Sequence, residues 1–357
     1  MPNLIDQWVR PTIRTLSAYP VPDATGLIKL DAMENPYTWP EELRREWAGL
    51  LQGVDLNRYP DPNATRLKER LRSSLDIPAE AGLLLGNGSD EIIQMLALTL
   101  GGPDRVVLSV EPSFVMYRMV ATWVGLEYVG VPLRTQDFAL DTEAVLEALE
   151  RYRPALVFLA YPNNPTGNLF DASAIHRILR AAPGLVVVDE AYAPFTDASF
   201  LGEVLDHDNL LVLRTLSKMG LAGLRLGYLL GAQEWIREID KTRMPYNINV
   251  LTQVSADLAL RHKALLDAQT RQIRAERGRL GQCLAQLPGV RAYPSEANFI
   301  LFRVARAPAV LQGLKERGVL IKGLHGSHPL LEDCLRVTVG TQEENETFLA
   351  TLAQVIG

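Results

Sequence analysis

Polar side chains that can carry acid–base or covalent chemistry follow three short apolar runs of the sequence. An amide (Asn164), a carboxylate (Asp189) and an amine (Lys218) each come shortly after the end of one run. The runs span residues 155–160, 185–188 and 210–213. Because ligands of open α/β sheets bind at the carboxyl ends of the strands, we expect these side chains to share one rim.

Further residues add an anion site to that rim. The segment 86–90 reads Gly-Asn-Gly-Ser-Asp and opens an amphipathic helical stretch, and a guanidinium follows at Arg225. Free backbone N–H groups at a glycine-rich helix start bind anions, most commonly phosphate. Pyridoxal phosphate fits the whole set, because it offers an aldehyde to a lysine, a ring nitrogen to an aspartate and a phosphate group.

The elements that must position these residues alternate between short apolar runs and helical stretches from about 81 to 250. The runs are too short for helices and apolar on both faces, which is typical of parallel strands buried between helix layers. The sequence therefore predicts an α/β domain with a mostly parallel central sheet. We expect a proline-rich, extended N-terminal arm (1–40), a large cofactor-binding domain (41–250) and a smaller α+β domain (251–357).

Composition excludes several classes of protein. The 357 residues are 47% hydrophobic and 22% charged, as expected for a folded chain of about two domains. A net charge of −6 argues against nucleic-acid or membrane-surface binding, and no apolar run is long enough to span a bilayer. The N-terminus has no secretory pattern, so the expected location is the cytoplasm.

Cysteine and histidine patterns give no expectation of a metal. The two cysteines, Cys283 and Cys334, are far apart, and no CxxC pair occurs. His325 and His328 form an HxxH pair in a predicted loop without a carboxylate-rich pattern around it. The other histidines are scattered along the chain and are interpreted with this pair as solvated loop residues; they are His176, His207 and His262.

Several of these residues together resemble fold-type I aminotransferases of the aspartate aminotransferase superfamily. The resemblance rests on Asn164-Pro165-Thr166-Gly167, Asp189-x-x-Tyr192, Ser217-Lys218 and Arg225. Within that superfamily, four segments are similar to the histidinol-phosphate aminotransferase family, and the likeness extends over about residues 14–340. These segments span residues 30–37, 57–62, 86–91 and 214–218.

The resemblance implies roles for the cofactor-site residues. Lys218 would hold the cofactor aldehyde covalently and then move the proton, Asp189 would pair with the ring nitrogen, and Tyr192 and Asn164 would hydrogen-bond the ring oxygen. Phe114 would stack on the ring. The phosphate would be bound by Ser89, Asp90, Thr215, Ser217 and Arg225.

The resemblance also implies a homodimer with shared active sites. Tyr59 would reach the phosphate in the neighbouring subunit's site, and Tyr19 would cover the substrate. Arg336 would bind the glutamate carboxylate or the phosphate of an amino phosphate. Lys322 stands where relatives often carry a second arginine, so the compact charge of an ammonium group replaces a planar guanidinium that could bind an anion through two N–H groups. Met33 stands where relatives often have asparagine.

Each residue also has an ordinary structural interpretation. Lys218 could be a surface lysine, Asp189 a helix N-cap and Asn164 a turn residue, the last being compatible with a role in the site. The functional hypothesis is transamination in histidine biosynthesis, in which glutamate gives its amino group and leaves as 2-oxoglutarate and imidazole-acetol phosphate accepts the group to become histidinol phosphate. The alternatives are an aromatic amino acid aminotransferase or a threonine-phosphate decarboxylase on the same fold, or a non-catalytic protein that binds pyridoxal phosphate.

Overall fold

The computed structural model describes residues 3–18 and 20–357. One sheet has the strand order β2-β8-β7-β6-β5-β3-β4, and a smaller sheet has the order β1-β11-β12-β10-β9. The strands are β1 (Ile28–Leu30), β2 (Gly82–Asn87), β3 (Val106–Glu111), β4 (Glu127–Pro132), β5 (Leu156–Ala160), β6 (Leu185–Asp189), β7 (Leu210–Thr215), β8 (Leu226–Gly231), β9 (Val290–Ala292), β10 (Phe299–Val304), β11 (Val319–Gly323) and β12 (Cys334–Thr338).

The larger sheet is mostly parallel, which confirms the fold class predicted from the sequence. Strands β3 to β7 pair in parallel, and β8 runs antiparallel to both of its neighbours. Every residue of β5 and β6 is buried, because helices cover both faces of the sheet and leave apolar side chains no contact with water. The carboxyl ends of β5, β6 and β7 therefore lie side by side.

Side-chain caps start several of the helices. Asp171 caps α8 (Ala172–Ala181) by accepting a hydrogen bond from the backbone N–H of Ser173. After residue 250 the chain forms α10 (Val250–Arg261) and α11 (Lys263–Gln286), which are separated at His262. The helices are α1 (Leu4–Trp8), α2 (Pro11–Arg14), α3 (Glu41–Gln52), α4 (Thr65–Ser74), α5 (Ser89–Leu100), α6 (Met116–Val124), α7 (Thr142–Tyr152), α8 (Ala172–Ala181), α9 (Gln233–Asp240), α10 (Val250–Arg261), α11 (Lys263–Gln286), α12 (Ala307–Glu316) and α13 (Gln342–Ile356).

The N-terminal arm is less extended than the sequence predicts, because it contains the short helices α1 and α2. Asn3 caps α1 through the N–H of Ile5, and Pro11 occupies the first turn of α2, where its missing N–H costs no hydrogen bond. The arm then continues into β1, which pairs in parallel with β11 of the smaller sheet. The domain limits given above stay a prediction. Across residues 3–18 and 20–357, no helix combines the length and apolar character that a bilayer span requires.

Candidate active site

A cavity of about 360 Å³ lies at the carboxyl ends of β5, β6 and β7. It is lined by residues from all three strand ends, from the start of α5 and from the loop that precedes α6. Ten residues that the sequence assigns to the site line this one cavity: Ser89, Asp90, Phe114, Asn164, Asp189, Tyr192, Thr215, Ser217, Lys218 and Arg225. The structure thus brings together side chains that are up to 136 positions apart in the chain, from Ser89 to Arg225.

Asp189 ends β6 and is buried, with 3% of its surface exposed. Its Oδ1 accepts a hydrogen bond from the N–H of Ala191 at 3.0 Å, and its Oδ2 accepts one from the hydroxyl of Tyr117 at 2.7 Å. Burial raises the pKa of Asp189 to about 6, and the hydrogen bond from Tyr117 opposes that shift. A buried carboxylate of this kind fits a cationic partner such as a protonated ring nitrogen.

Lys218 follows β7 in a single helical turn. Burial, and to a smaller extent the positive charge of Arg336, lowers its pKa to about 8. Its Nζ lies 5.7 Å from the ring centroid of Tyr192. A lysine with such a pKa is partly neutral near physiological pH, and the neutral amine is the form that reacts with an aldehyde.

Backbone N–H groups at the start of α5, together with Arg225, form an anion-binding cradle. Gly88 has φ +83°, and a Cβ added there would lie 2.6 Å from Nη2 of Arg225. A Cβ added to Gly227 would lie 2.5 Å from the backbone nitrogen of Ser89. The hydroxyls of Thr215 and Ser217 lie 2.9 Å apart on the same wall. These donors fit the phosphate group of pyridoxal phosphate, and larger side chains at the two glycines would close the cradle.

A second cavity of about 710 Å³ adjoins the first and holds the predicted substrate residues Lys322 and Arg336. The two cavities share Met33, Phe114 and Asn164 as walls. Arg336 is 5% exposed; its Nη1 donates to Oδ1 of Asn164 at 2.5 Å and its Nη2 to the carbonyl oxygen of Asp31 at 3.0 Å. An anionic substrate held in the second cavity therefore lies next to the cofactor residues.

Two predicted residues lie apart from these cavities or outside the described chain. Tyr59 is 80% exposed and stacks on Tyr246 with 4.4 Å between the ring centroids. Its side chain is therefore directed to the surface of the single chain. Tyr19 lies outside the residues that the structure describes.

Sequence reasoning missed Tyr117, which donates a hydrogen bond to the carboxylate of Asp189. Its ring stacks in parallel on Phe158 at 4.5 Å and meets Phe114 edge to face at 5.6 Å. One signal was available, since Tyr117 is an aromatic residue with a hydroxyl only three positions after Phe114, which the sequence already assigned to the site. The interpretation of His176 as a loop residue is wrong, because His176 lies on α8. His207 does lie in a loop, and both histidines lie near Glu203.

Comparisons with known proteins agree with this geometry. The profile of the family described as aminotransferase class I and II matches residues 25–352. A histidinol-phosphate aminotransferase of Nitrosococcus oceani is 56% identical over 98% of this chain and 97% of its own. One of Chromobacterium violaceum is 54% identical over 98% of both chains. The crystal structure of histidinol-phosphate aminotransferase from Sinorhizobium meliloti in complex with pyridoxal-5'-phosphate has a TM-score of 0.86 and 25% identity, covering 98% of this chain and 97% of that one.

Proposed function

This chain belongs to the aminotransferase class I and II family, and we propose that it transfers the amino group between histidinol phosphate and 2-oxoglutarate in histidine biosynthesis. One observation carries the proposal: a buried lysine, a buried aspartate and an anion cradle share a cavity that adjoins a second cavity lined by Lys322 and Arg336. The full-length relatives named above support the choice of substrate.

The cofactor is pyridoxal phosphate, and the residues of the first cavity fit each of its parts. When bound, it supplies an aldehyde for covalent attachment and a ring that withdraws electrons from the substrate Cα. Lys218 would hold the aldehyde in the resting enzyme. Asp189 would keep the ring nitrogen protonated, and Asn164 and Tyr192 would hydrogen-bond the ring oxygen. Phe114 would cover one face of the ring.

The phosphate is held by neutral and charged donors. The backbone N–H groups of Ser89 and Asp90 and the hydroxyls of Thr215 and Ser217 donate to it, and the guanidinium of Arg225 adds a positive charge. These contacts fix the ring relative to Lys218. With the cofactor and substrate bound, the amine of Lys218 would be the general base that removes the proton from the substrate Cα and delivers it to the cofactor carbon on the other side of the amino nitrogen. The lowered pKa of Lys218, about 8, suits that task near neutral pH.

Arg336 and Lys322 bind the anionic part of each substrate in turn. The planar guanidinium of Arg336 accommodates the carboxylate of glutamate or the phosphate of histidinol phosphate, and Lys322 adds a second positive charge. Because both substrates would use the same cations, they would bind one after the other and not together. Tyr19 keeps its predicted role as a cover of the substrate.

The active unit is a homodimer in which Tyr59 completes the neighbouring site. Large apolar side chains of the arm are exposed in the single chain, with Leu4 at 70% and Trp8 at 76%. Met244 is 70% exposed, two positions before the Tyr246 ring that stacks on Tyr59. Burying such surface against a second copy is favourable, which supports the dimer. The cytoplasmic location stays a prediction of the sequence.

An assay of amino donors tests the substrate. Purified holoenzyme is given histidinol phosphate, phenylalanine or tyrosine together with 2-oxoglutarate, and glutamate formation is measured. We expect the highest kcat/KM with histidinol phosphate. A preference for phenylalanine or tyrosine would favour the aromatic aminotransferase, and release of CO2 from threonine phosphate without a keto acid would favour the decarboxylase. If glutamate did not change the absorption spectrum of the bound cofactor, the result would favour a non-catalytic protein that binds pyridoxal phosphate.

A further inference from the structure

Two histidines and one glutamate meet at a place that the transamination site does not use. His176 lies on α8, Glu203 ends a short helical turn and His207 precedes β7. One ligand atom from each side chain, two imidazole nitrogens and a carboxylate oxygen, lies within 4.8 Å of the others. The three residues are separate from those that line the cofactor cavity.

A single carboxylate oxygen faces both imidazoles. Nε2 of His176 lies 2.6 Å from Oε2 of Glu203, which is a hydrogen-bond distance. Nε2 of His207 lies 3.8 Å from the same oxygen, which is too long for a hydrogen bond. Hydrogen bonding therefore accounts for one of the two contacts, whereas a cation between the three atoms would be contacted by all of them.

The surrounding structure holds the group in place. The ring of His176 packs edge-on against the buried ring of Phe200 with 5.4 Å between centroids, and lies 6.0 Å from the ring of His207. Side-chain exposures of 30% for His176, 39% for Glu203 and 25% for His207 leave one side open to water. Partial burial restricts the rotamers before a ligand arrives, and the open side leaves room for a water ligand.

The donor types select the kind of ion. Imidazole nitrogens suit Zn²⁺ and its transition-metal neighbours, whereas Ca²⁺ and Mg²⁺ prefer sites made of oxygen. Zn²⁺ with two histidines, one glutamate and one water takes bonds of about 2.0–2.2 Å, which places neighbouring donors about 3.3 Å apart. The two measured separations, 2.6 and 3.8 Å, lie on either side of that value. We propose that His176, Glu203 and His207 bind one Zn²⁺ ion.

The place of the group in the fold indicates what the ion does. His207 precedes β7, and β7 leads directly into Thr215, Ser217 and Lys218. A metal ion would tie α8 to the segment that enters β7 at its amino end, and so stabilise the strand whose carboxyl end carries cofactor residues. Because the ligands lie outside the cofactor cavity, the effect is on unfolding and not on the chemical step.

Zinc titration of the intact holoenzyme tests the site. The protein is treated with a chelator, desalted and titrated with zinc chloride by calorimetry, and its thermal unfolding is followed with and without the ion. We expect one ion per chain and a higher unfolding midpoint with zinc, because an ion that binds only the folded state stabilises it. His176→Gln and His207→Gln should each weaken binding by about tenfold or more, since each removes a ligand.

A matched control separates this site from ordinary histidine–carboxylate pairs. Nε2 of His262 lies 3.0 Å from the carboxylate of Glu46. The third side chain beside this pair is the cation Arg261, 3.5 Å from the same carboxylate, and not a second histidine. His262→Gln should leave zinc binding unchanged. Equal zinc affinity in the wild type and the His176 and His207 variants would overturn the proposal, and so would an absence of saturable binding at micromolar zinc. Glu203→Gln, which keeps the side-chain shape, serves as a further variant if a histidine variant loses its cofactor absorbance.

Discussion

The hydroxyl of Tyr117 donates a 2.7 Å hydrogen bond to Oδ2 of Asp189. Burial, and then the charge of Asp189, raises the pKa of Tyr117 well above its ordinary value, so the hydroxyl stays protonated and remains a donor. Together with the N–H of Ala191 it fixes both carboxylate oxygens. We therefore propose Tyr117 as a positioning residue for Asp189, the carboxylate proposed above to bind the ring nitrogen of the cofactor.

Removing this hydroxyl should weaken catalysis without removing the ring that packs beside it. Tyr117→Phe loses a hydrogen bond to a charged group, worth about 1.5–3 kcal/mol, so we expect kcat to fall by about 10- to 100-fold. Since the bond lowers the pKa of Asp189, its loss should also move the acidic limb of the pH–rate profile to higher pH. Tyr293→Phe is the matched control, because the buried hydroxyl of Tyr293 has no hydrogen-bond partner among the described residues. If Tyr117→Phe and Tyr293→Phe changed kcat and the pH–rate profile equally, Tyr117 would not be a positioning residue for Asp189.

Asp189 should lower the stability of the apoprotein while it promotes catalysis. Its folded pKa of about 6 is above the ordinary 3.8, so the folded state holds the proton more tightly and loses stability as pH rises from about 4 to 6. The two-unit shift corresponds to about 3 kcal/mol at pH 7. Asp189→Asn apoprotein should therefore be more stable than the wild type at pH 7 in urea unfolding, with the difference vanishing near pH 4.

The same variant should be a poor enzyme when cofactor is added. Loss of the charge that holds the ring proton should slow turnover by several powers of ten, each costing about 1.4 kcal/mol. Asp171→Asn keeps the cap of α8 and is the control for removing a carboxylate elsewhere. An Asp189→Asn loss below tenfold would show that the ring nitrogen is bound by another group.

Lys218 should determine both covalent attachment and its dependence on pH. Because the pKa of Lys218 is about 8, the rate at which apoenzyme captures the cofactor should rise with pH and level off above 8. Lys218→Ala should bind the cofactor non-covalently, retain no label after borohydride treatment and lose turnover. Lys241→Ala is the control, since Lys241 is exposed and pairs with Glu238. A labelled peptide that does not contain residue 218 would contradict the assignment.

How much of the site the sequence could predict depends on how far apart the contacting residues are in the chain. Lys218 and Asp189 each follow an apolar run, and parallel strands bring the ends of such runs to one edge, so local pattern was enough. The bond from Tyr117 to Asp189 joins residues 72 positions apart, and the packing of α6 on the sheet fixes it. The same applies to His176 and His207, which meet because α8 lies beside the chain that enters β7. The short helices of the arm were missed because the prolines favoured an extended chain, although proline is tolerated in a first turn.

Lys322 should strengthen the binding of substrates that carry a phosphate and have little effect on other amino donors. It lines the same cavity as Arg336, and its ammonium adds a second positive charge for a phosphate that carries up to two negative charges. Lys322→Ala should raise KM for histidinol phosphate by about tenfold, the loss of one charge-assisted contact, and change KM for phenylalanine much less. Lys315→Ala, at an exposed lysine near the end of α12, should change neither. An equal rise in both KM values would mean that Lys322 shapes the cavity without binding the phosphate.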